Sequence, residues 1–330
     1  VKVLVTGGGG FLGLAVCRRL AARGDTVRSL QRRRHTELDA LGVTQHLADI
    51  RDRAAVRAAA EGCEVVVHCA AKAGAYGPER DYWETNVDGT RSVLDACAHT
   101  GARLVHTSSP SVVHDGRDLE GVDESAPYAR GFTAPYPRTK AAAERLVLAA
   151  AGTVPAVALR PHLIWGPGDP HFLPRLVANR HRLWLIGGRD KTIDTVYIDN
   201  AADAHVLALD RLGPGSPLCG RAYFITQGEP CGFGTWVNAL LAAAGAPPVR
   251  RRLPVRAARL AAALLEDGCR VAGALGLRRE PPLTRFLVEQ ASTAHWFDIS
   301  AARHDLGYAP RVSTAEGLAR LTAHLAGAAS

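Results

Sequence analysis

Residues 1–13, VKVLVTGGGGFLG, decide how the rest of the chain is read. Val1, Val3 and Val5 alternate with Lys2 and Leu4, a β-branched run with the character of a buried strand. A glycine turn over residues 6–13 follows, and then LAVCRRLAARG, whose apolar residues recur at helical spacing. Strand, glycine turn and helix come in the order that a dinucleotide pyrophosphate requires. Missing side chains let the backbone approach phosphates, and free N–H groups at the helix start supply positive potential. Gly7, Gly10 and Gly13 make a G-x-x-G-x-x-G spacing, with Gly9 also in the loop and Phe11 and Leu12 before the last glycine. Turns use glycine for backbone reasons alone, so it is the place at the first strand–helix junction that favours a nucleotide.

The 330 residues are enough for a large core and two lobes. No apolar run approaches a membrane span, and the sequence opens into a strand without a signal-peptide layout, so a cytoplasmic protein is expected. Cys17, Cys63, Cys69, Cys97, Cys219, Cys231 and Cys269 are odd in number and scattered, without C-x-x-C or His/Cys metal spacing. They read as reduced thiols, and no metal site is expected. The net charge of +8 is carried mainly by arginine, because only Lys2, Lys72, Lys140 and Lys191 are lysines. Such a surface suits an anionic cofactor and substrate better than nucleic acid, for which aromatic platforms and a binding module are missing.

The second strand, TVRSLQ, runs into Gln31-Arg32-Arg33-Arg34. A carboxylate at that strand end would bond a ribose diol and repel a 2′-phosphate, whereas Gln31 followed by guanidiniums favours NADP(H) over NAD(H). A solvated basic loop is the plainer alternative. The third strand ends at Asp49-Ile50, where the carboxylate either meets an adenine amino group or caps the helix that follows. EVVVHCAA (residues 64–71) reads as a central parallel strand, and its end leads into Ala70, Ala71 and Lys72. Asn86 lies in the next helix and reads as a local structural polar residue.

A fifth strand delivers Thr107-Ser108-Ser109 to the sheet edge that faces the ligand crevice. Further on, Tyr136-Pro137-Arg138-Thr139-Lys140 opens a helix, so Tyr136 and Lys140 sit one turn apart on one face. An ammonium beside a phenol favours the phenolate, which would lower the tyrosine pKa towards neutrality.

The glycine loop, the TSS strand end, the Y-x-x-x-K helix and RPHLIWGPGD (residues 160–169) together resemble the extended short-chain dehydrogenase/reductases. The likeness is narrower to their 3β-hydroxysteroid dehydrogenase-like branch, and within it to the 2-alkyl-3-oxoalkanoate reductases of bacterial olefin biosynthesis. It covers almost the whole chain, including AAKAGAYG (70–77), TSSPSVVH (107–114), DTVYIDNAADAH (194–205), AYFITQGEP (222–230) and EPPLTRFLVEQ (280–290).

The resemblance implies an α/β fold, a Rossmann doubly wound parallel sheet with a smaller, discontinuous C-terminal substrate lobe. Residues 1–166 and 190–212 would bind NADPH/NADP+, and residues 167–189 and 213–330 would form the lobe. Ser109 and Tyr136 would hold the reacting oxygen and Lys140 the nicotinamide ribose. Pro161 and Ile164 would flank the nicotinamide. The expected cofactor contacts are completed by Gly7, Gly9, Gly10, Phe11, Leu12, Gly13, Gln31, Arg32, Arg33, Asp49, Ile50, Ala70, Ala71, Lys72, Thr107 and Ser108. Lys72, Ser109 and Arg285 are the candidates for substrate contact. The branch also implies a homodimer through the helices bearing Asn86 and Tyr136, and assembly with other olefin-pathway enzymes.

The implied reaction is reduction of a 2-alkyl-3-oxoalkanoic acid to the 3-hydroxy acid. Rivals are a 3β-hydroxysteroid or sterol dehydrogenase with another pocket shape, a sugar-nucleotide epimerase or dehydratase retaining NAD, and a silent NADP-sensing or scaffold protein. An intact Ser109, Tyr136 and Lys140 set speaks against the last. Residues 258–277, ARLAAALLEDGCRVAGALGL, form an amphipathic helical stretch with arginines at its edges; packing on its own core is the plainer expectation, against sheltering an acyl chain or touching a membrane. A terminal helix capped by Ser313 or Thr314 closes the chain.

Overall fold

The computed structural model describes residues 1–170, 172–274, 277 and 280–329. Its main sheet is built from β1 (Lys2–Thr6), β2 (Thr26–Gln31), β3 (Thr44–Leu47), β4 (Val65–His68), β5 (Arg103–Thr107), β6 (Ala156–Pro161) and β7 (Ala222–Ile225). Among the described residues these seven strands lie in the order β7-β6-β5-β4-β1-β2-β3, and all pairs are parallel. This is the doubly wound arrangement, with its order reversing at β1. The strand period explains why the central strands are apolar throughout. Val3, Val5, Val65, Val67 and Val105 join one core cluster, while Leu4, Val66 and Leu104 join the cluster on the opposite face.

The helices that cover the sheet are α1 (Phe11–Ala22), α2 (Arg53–Ala60), α3 (Gly89–Thr100), α4 (Pro135–Ala149) and α5 (Ile198–Arg211). Asp52 caps α2 by accepting from the Ala55 N–H at 3.0 Å. Asp49 therefore does not cap it, a correction to one of the two expectations for that residue. A six-residue π-helical turn, Trp83–Asp88, leads into α3 and carries Asn86.

The strands do not part at the residue numbers expected from the sequence. β7, expected in the substrate lobe, is an edge strand of the main sheet, paired with β6 from Ala222↔Ala158 to Ile225↔Pro161. Tyr223, Phe224 and Ile225 in it are all buried, so their backbone groups need a strand partner, which β6 supplies. Conversely, Leu119–Val122 and Thr192–Ile193 join Cys231–Gly232 and His295–Phe297 in a four-stranded sheet of the second lobe. One apolar cluster runs through both lobes, from Val3 to Leu321.

The lobe's helices include α6 (Phe233–Ala243), α7 (Val255–Ala274), α8 (Arg285–Ser292) and α9 (Thr314–Ala329). Ser313 caps α9 through the Glu316 N–H at 3.2 Å. Ala258 and Ala262 of α7 pack on Ile186 and Val288, as expected for a helix resting on its own core. Its leucines do not: Leu260, Leu264 and Leu265 are exposed. Positions 275 and 276 of the 258–277 stretch lie outside the described residues. Among those residues no helix is long and apolar enough to cross a membrane.

Gly13 sets the crossing of α1 over the glycine turn. A Cβ there would stand 2.1 Å from the Gly7 carbonyl oxygen, which cannot move without unmaking the turn. Gly13→Ala should therefore lower the thermal midpoint by about 3 °C, as ~2 kcal/mol of strain does in a protein of this size. It should also weaken dinucleotide binding; an unchanged midpoint in a melting experiment would show the turn to be looser than described.

Candidate active site

A cleft of about 910 Å³ opens over the carboxyl ends of β1, β2 and β4. Gly7, Gly9 and Gly10 line its floor, and Gln31, Arg32, Arg33, His35, Asp49, Ile50, Ala70, Ala71 and Lys72 line its walls. The glycines are spatially required. Gly7 has φ +71°, and a Cβ on it would come within 2.9 Å of the Ala70 backbone; one on Gly9 would enter the His35 ring. Helix α1 starts at Gly10 with no side-chain cap, so its first N–H groups face the cleft without a protein partner supplied by that residue. A backbone cradle, a bare helix start and guanidiniums at one wall fit a phosphorylated dinucleotide.

The wall residues are unequal. Gln31 is buried, bonded to Ser29 and donating to Gln45 at 2.8 Å, so its amide faces inward. The Asp49 carboxylate is held by the Arg51 guanidinium at 2.9 and 3.0 Å, which keeps it below the usual carboxylate range. Arg34 pairs with Asp39 outside the cleft, whereas Arg32 and Arg33 line it. Phe11 and Leu12 pack their side chains towards the core beneath the turn.

Ser109 and Tyr136 stand together at the end of β5 and the start of α4. Ser109 is half-buried in extended backbone and its hydroxyl lies 2.9 Å from that of Ser111. Ser108 is buried, turned inward towards Glu144. Burial pushes the Tyr136 phenol above its ordinary pKa, and the Ser109 hydroxyl opposes that shift. The expectation that Lys140 lowers this phenol is therefore corrected. The Lys140 ammonium is directed to the Thr107 carbonyl oxygen at 2.5 Å, and desolvation brings its own pKa down to about 8.

The shell behind this set was not read from the sequence. Glu144, one turn beyond Lys140, is fully buried, and its carboxylate partly offsets the lysine's desolvation. It is bound by Arg160 at 2.6 and 3.0 Å and accepts from the Tyr128 hydroxyl at 2.7 Å. The recurrence of Tyr136, Lys140 and Glu144 every fourth residue was the available signal. Asn86 turns out to be a tether: its amide accepts from the Lys72 N–H at 2.7 Å and donates to the Lys72 carbonyl and the Thr139 hydroxyl. It thus ties the loop after β4 to the helix bearing Tyr136. Thr107 bonds His205 at 2.8 Å, and His162 bonds His295 at 2.7 Å. Between Pro161 and Ile164, Leu163 takes a left-handed φ of +43°, strained for a branched residue. His35, missed among the arginines, covers Gly9.

Two substrate candidates are engaged by carboxylates. Lys72 donates to Asp81 at 2.9 Å but still lines the cleft. Arg285 is held by Glu266 at 2.6 Å and by Asp267, and joins α8 to α7 instead of facing the cleft. Among the described residues no cluster of His, Cys, Asp and Glu has the arrangement of a metal site.

Comparison with known proteins agrees with this architecture. Residues 4–255 match the 3-beta hydroxysteroid dehydrogenase/isomerase family. Two relatives are named 2-alkyl-3-oxoalkanoate reductase. That of Stenotrophomonas maltophilia is 49% identical over 329 residues, covering 98% of this chain and 99% of the relative. That of Shewanella oneidensis is 46% identical over 333 residues, covering 97% and 85%. The sterol-4-alpha-carboxylate 3-dehydrogenase (decarboxylating) of Mus musculus is 31% identical over 326 residues, covering 97% and 89%. Among solved structures, UDP-glucuronic acid 4-epimerase from Bacillus cereus, in complex with NAD, superposes with TM-score 0.76 at 22% identity, covering 100% of both chains, a likeness of fold.

The desolvated lysine has a pH signature. Between about pH 8 and the ordinary lysine range the unfolded chain holds more protons than the folded one, so this group's contribution to stability improves as pH rises. Compared with Lys140→Met, the free wild-type protein should gain stability from about pH 8 to about pH 10, by no more than ~1.4 kcal/mol per pH unit. Urea denaturation of both proteins reads the difference, and a difference independent of pH would mean an ammonium that is not desolvated.

Proposed function

The chain belongs to the 3-beta hydroxysteroid dehydrogenase/isomerase family, and from that premise we propose that it is an NADP(H)-dependent reductase of 2-alkyl-3-oxoalkanoic acids. The observation that carries the substrate class is near-full-length identity of 49% and 46% to two reductases of that name. The phosphorylated cofactor is supported by Arg32 and Arg33 on the cleft wall, with Gln31 where a carboxylate would repel a 2′-phosphate. Gly7, Gly9, Gly10 and the start of α1 would hold the pyrophosphate. Asp49, Ile50, Ala70 and Ala71 would border the adenosine, and Thr107, Pro161 and Ile164 the nicotinamide end.

A reduced nicotinamide bound there supplies the hydride. The protein's own work is on the oxygen. Burial keeps the Tyr136 phenol protonated at neutral pH, which suits a proton donor to a ketone oxygen that gains negative charge. The Ser109 hydroxyl beside it orients that oxygen and steadies the charge as it develops. Lys140, anchored by Thr107 and steadied by Glu144, brings a positive charge to the same helix face and would hold the ribose. Asn86 keeps the Lys72 loop against that helix.

The names of the bacterial and mouse relatives share a chemical element: an oxygenated carbon next to the carbon that bears a carboxylate. A site for either substrate needs a cation for that carboxylate, and Lys72 is the proposed one. The second reading, a 3β-hydroxysteroid or sterol dehydrogenase, is favoured by the family match and by the mouse relative. It uses the same Ser109, Tyr136 and Lys140.

Absorbance at the reduced-nicotinamide band, with 2-alkyl-3-oxo acids and 3-hydroxysteroids and both cofactors, separates the readings. Oxidation of NADPH by the oxo acids is the expected result, and turnover of steroids alone would replace the first reading with the second. Tyr136→Phe should lower kcat by ~10²–10⁴-fold while NADPH affinity changes little; retained turnover would remove the phenol from the reaction. Arg32→Ala with Arg33→Ala should raise the Kd for NADPH by ~10-fold or more and leave that for NADH nearly unchanged. Equal losses for both cofactors would deny these arginines a phosphate.

A further inference from the structure

Helix α7 is arranged with its apolar residues on the wrong side for a helix that serves only its own core. The inner face buries Ala258 and Ala262, along with Glu266, whose carboxylate is held by Arg285. The outer face carries Leu260, Leu264 and Val271, which are 64%, 66% and 64% exposed and recur at spacings of four and seven residues. Leu265 flanks this ridge, and Leu277 beyond the helix is 63% exposed. Leucines in water opposite buried alanines leave apolar area that a partner would cover.

The charges around the ridge have one available sign. Arg251, Arg256 and Arg259 are exposed, and among the described residues none of them has a carboxylate within ion-pairing distance. The acidic residues of the helix are already engaged, Glu266 by Arg285 and Asp267 by Arg270 and Arg285. Just before α7, Arg252–Leu253 pairs with Leu185–Ile186, and there Trp184 is 46% exposed with the Arg251 guanidinium 5.7 Å from its ring centre. A ridge of leucine and valine, a neighbouring tryptophan with one polar edge, and arginines without counter-ions match what an anionic lipid interface receives. A second copy of this ridge would bring more unneutralised arginine and no available carboxylate, so self-association is the poorer occupant.

We propose that the outer face of α7, with Trp184 and the arginines beside it, docks this protein on the surface of an anionic bilayer. The leucines enter the acyl boundary and the guanidiniums meet lipid phosphates. The helix lies along the interface without spanning it. This docking is independent of the substrate reading, because it uses no residue of the cleft.

The test is co-sedimentation of the full chain with vesicles of phosphatidylcholine alone or mixed with phosphatidylglycerol, at low and raised ionic strength. Wild-type protein should pellet with the anionic vesicles, and raised salt should weaken binding. Leu260→Gln with Leu264→Gln, and separately Arg256→Ser with Arg259→Ser, should each reduce partitioning at least about tenfold. Both pairs are exposed, so thermal midpoints and turnover of a soluble substrate should stay unchanged; if the leucine pair misfolds, the arginine pair still decides. Wild-type protein that stays in the supernatant overturns the proposal, as do variants that pellet like wild type. Self-association lost in the leucine variant, without lipid binding, would assign the ridge to a second copy and overturn it as well.

Discussion

The contact of Gly13 with the carbonyl of Gly7 is the constraint from which the nucleotide half follows. It allows α1 to leave the sheet at the shortest possible distance from β1, with Gly10 donating to the same carbonyl at 2.9 Å. Gly7 in turn lies against the Ala70 backbone, so the turn after β1 is in contact with the segment after β4. The cleft is the space left above those two contacts, at the switch point of the sheet. Any side chain at Gly7 or Gly13 would separate the two segments and displace the helix start whose N–H groups face the cleft. Apolar burial on both faces of the sheet holds this geometry, but the geometry itself comes from two missing methyl groups.

A second constraint is electrostatic. A lysine with its charge out of water is costly unless the charge is answered locally. Lys140 is answered in part by the Thr107 carbonyl and in part by Glu144, which would itself be an uncompensated buried charge without Arg160 and Tyr128. The row along α4 is therefore a chain of dependence. The Tyr136 phenol stands at the half-buried start of the helix, the ammonium comes one turn later, and the carboxylate–guanidinium pair is sealed beneath Phe224 and Tyr128. Breaking such a buried pair by removing one partner costs ~3–5 kcal/mol in comparable cases. Tyr136 and Lys140, earlier on the same helix, depend on that sealed pair for their alignment.

The sheet strands, the glycine turn and the helix bearing Tyr136 and Lys140 were legible because each follows a local rule. Val3 and Val5 against Leu4 is a two-residue period, and Tyr136 with Lys140 is a four-residue one. What was not legible depends on partners distant in the chain. That Asp49 is bound by Arg51 beside it and leaves the cap to Asp52 depends on side-chain placement that spacing does not show. Gln31 at the strand end looks available in sequence, yet Gln45 on the neighbouring strand takes its amide. The inference that Lys140 lowers the Tyr136 pKa assumed that spacing on a helix implies direct influence. The ammonium instead turns to the carbonyl at the end of β5, and burial then dominates the phenol.

The second lobe resists sequence reading for a further reason. Its four-stranded sheet is assembled from Leu119–Val122, Thr192–Ile193, Cys231–Gly232 and His295–Phe297, pieces too short to show a period. The segments around them are fastened by single polar residues acting over long sequence distances. Asp190 accepts from the Gly234 and Thr235 N–H groups, Asn200 accepts from the Val312 N–H, and Glu289 takes His114 on one oxygen and Thr133 on the other. The last of these ties α8 to the loops that carry Ser109 and precede Tyr136. Because α8 also holds α7 through Arg285, the lobe's outer helix is connected to the edge that carries Ser109 and Tyr136 by side-chain links, Arg285 to Glu266 and Glu289 to His114 and Thr133. Substitutions in α8 should therefore be felt at the loops beside Ser109 and Tyr136 and on the outer surface together, which a division into two independent halves would not lead one to expect.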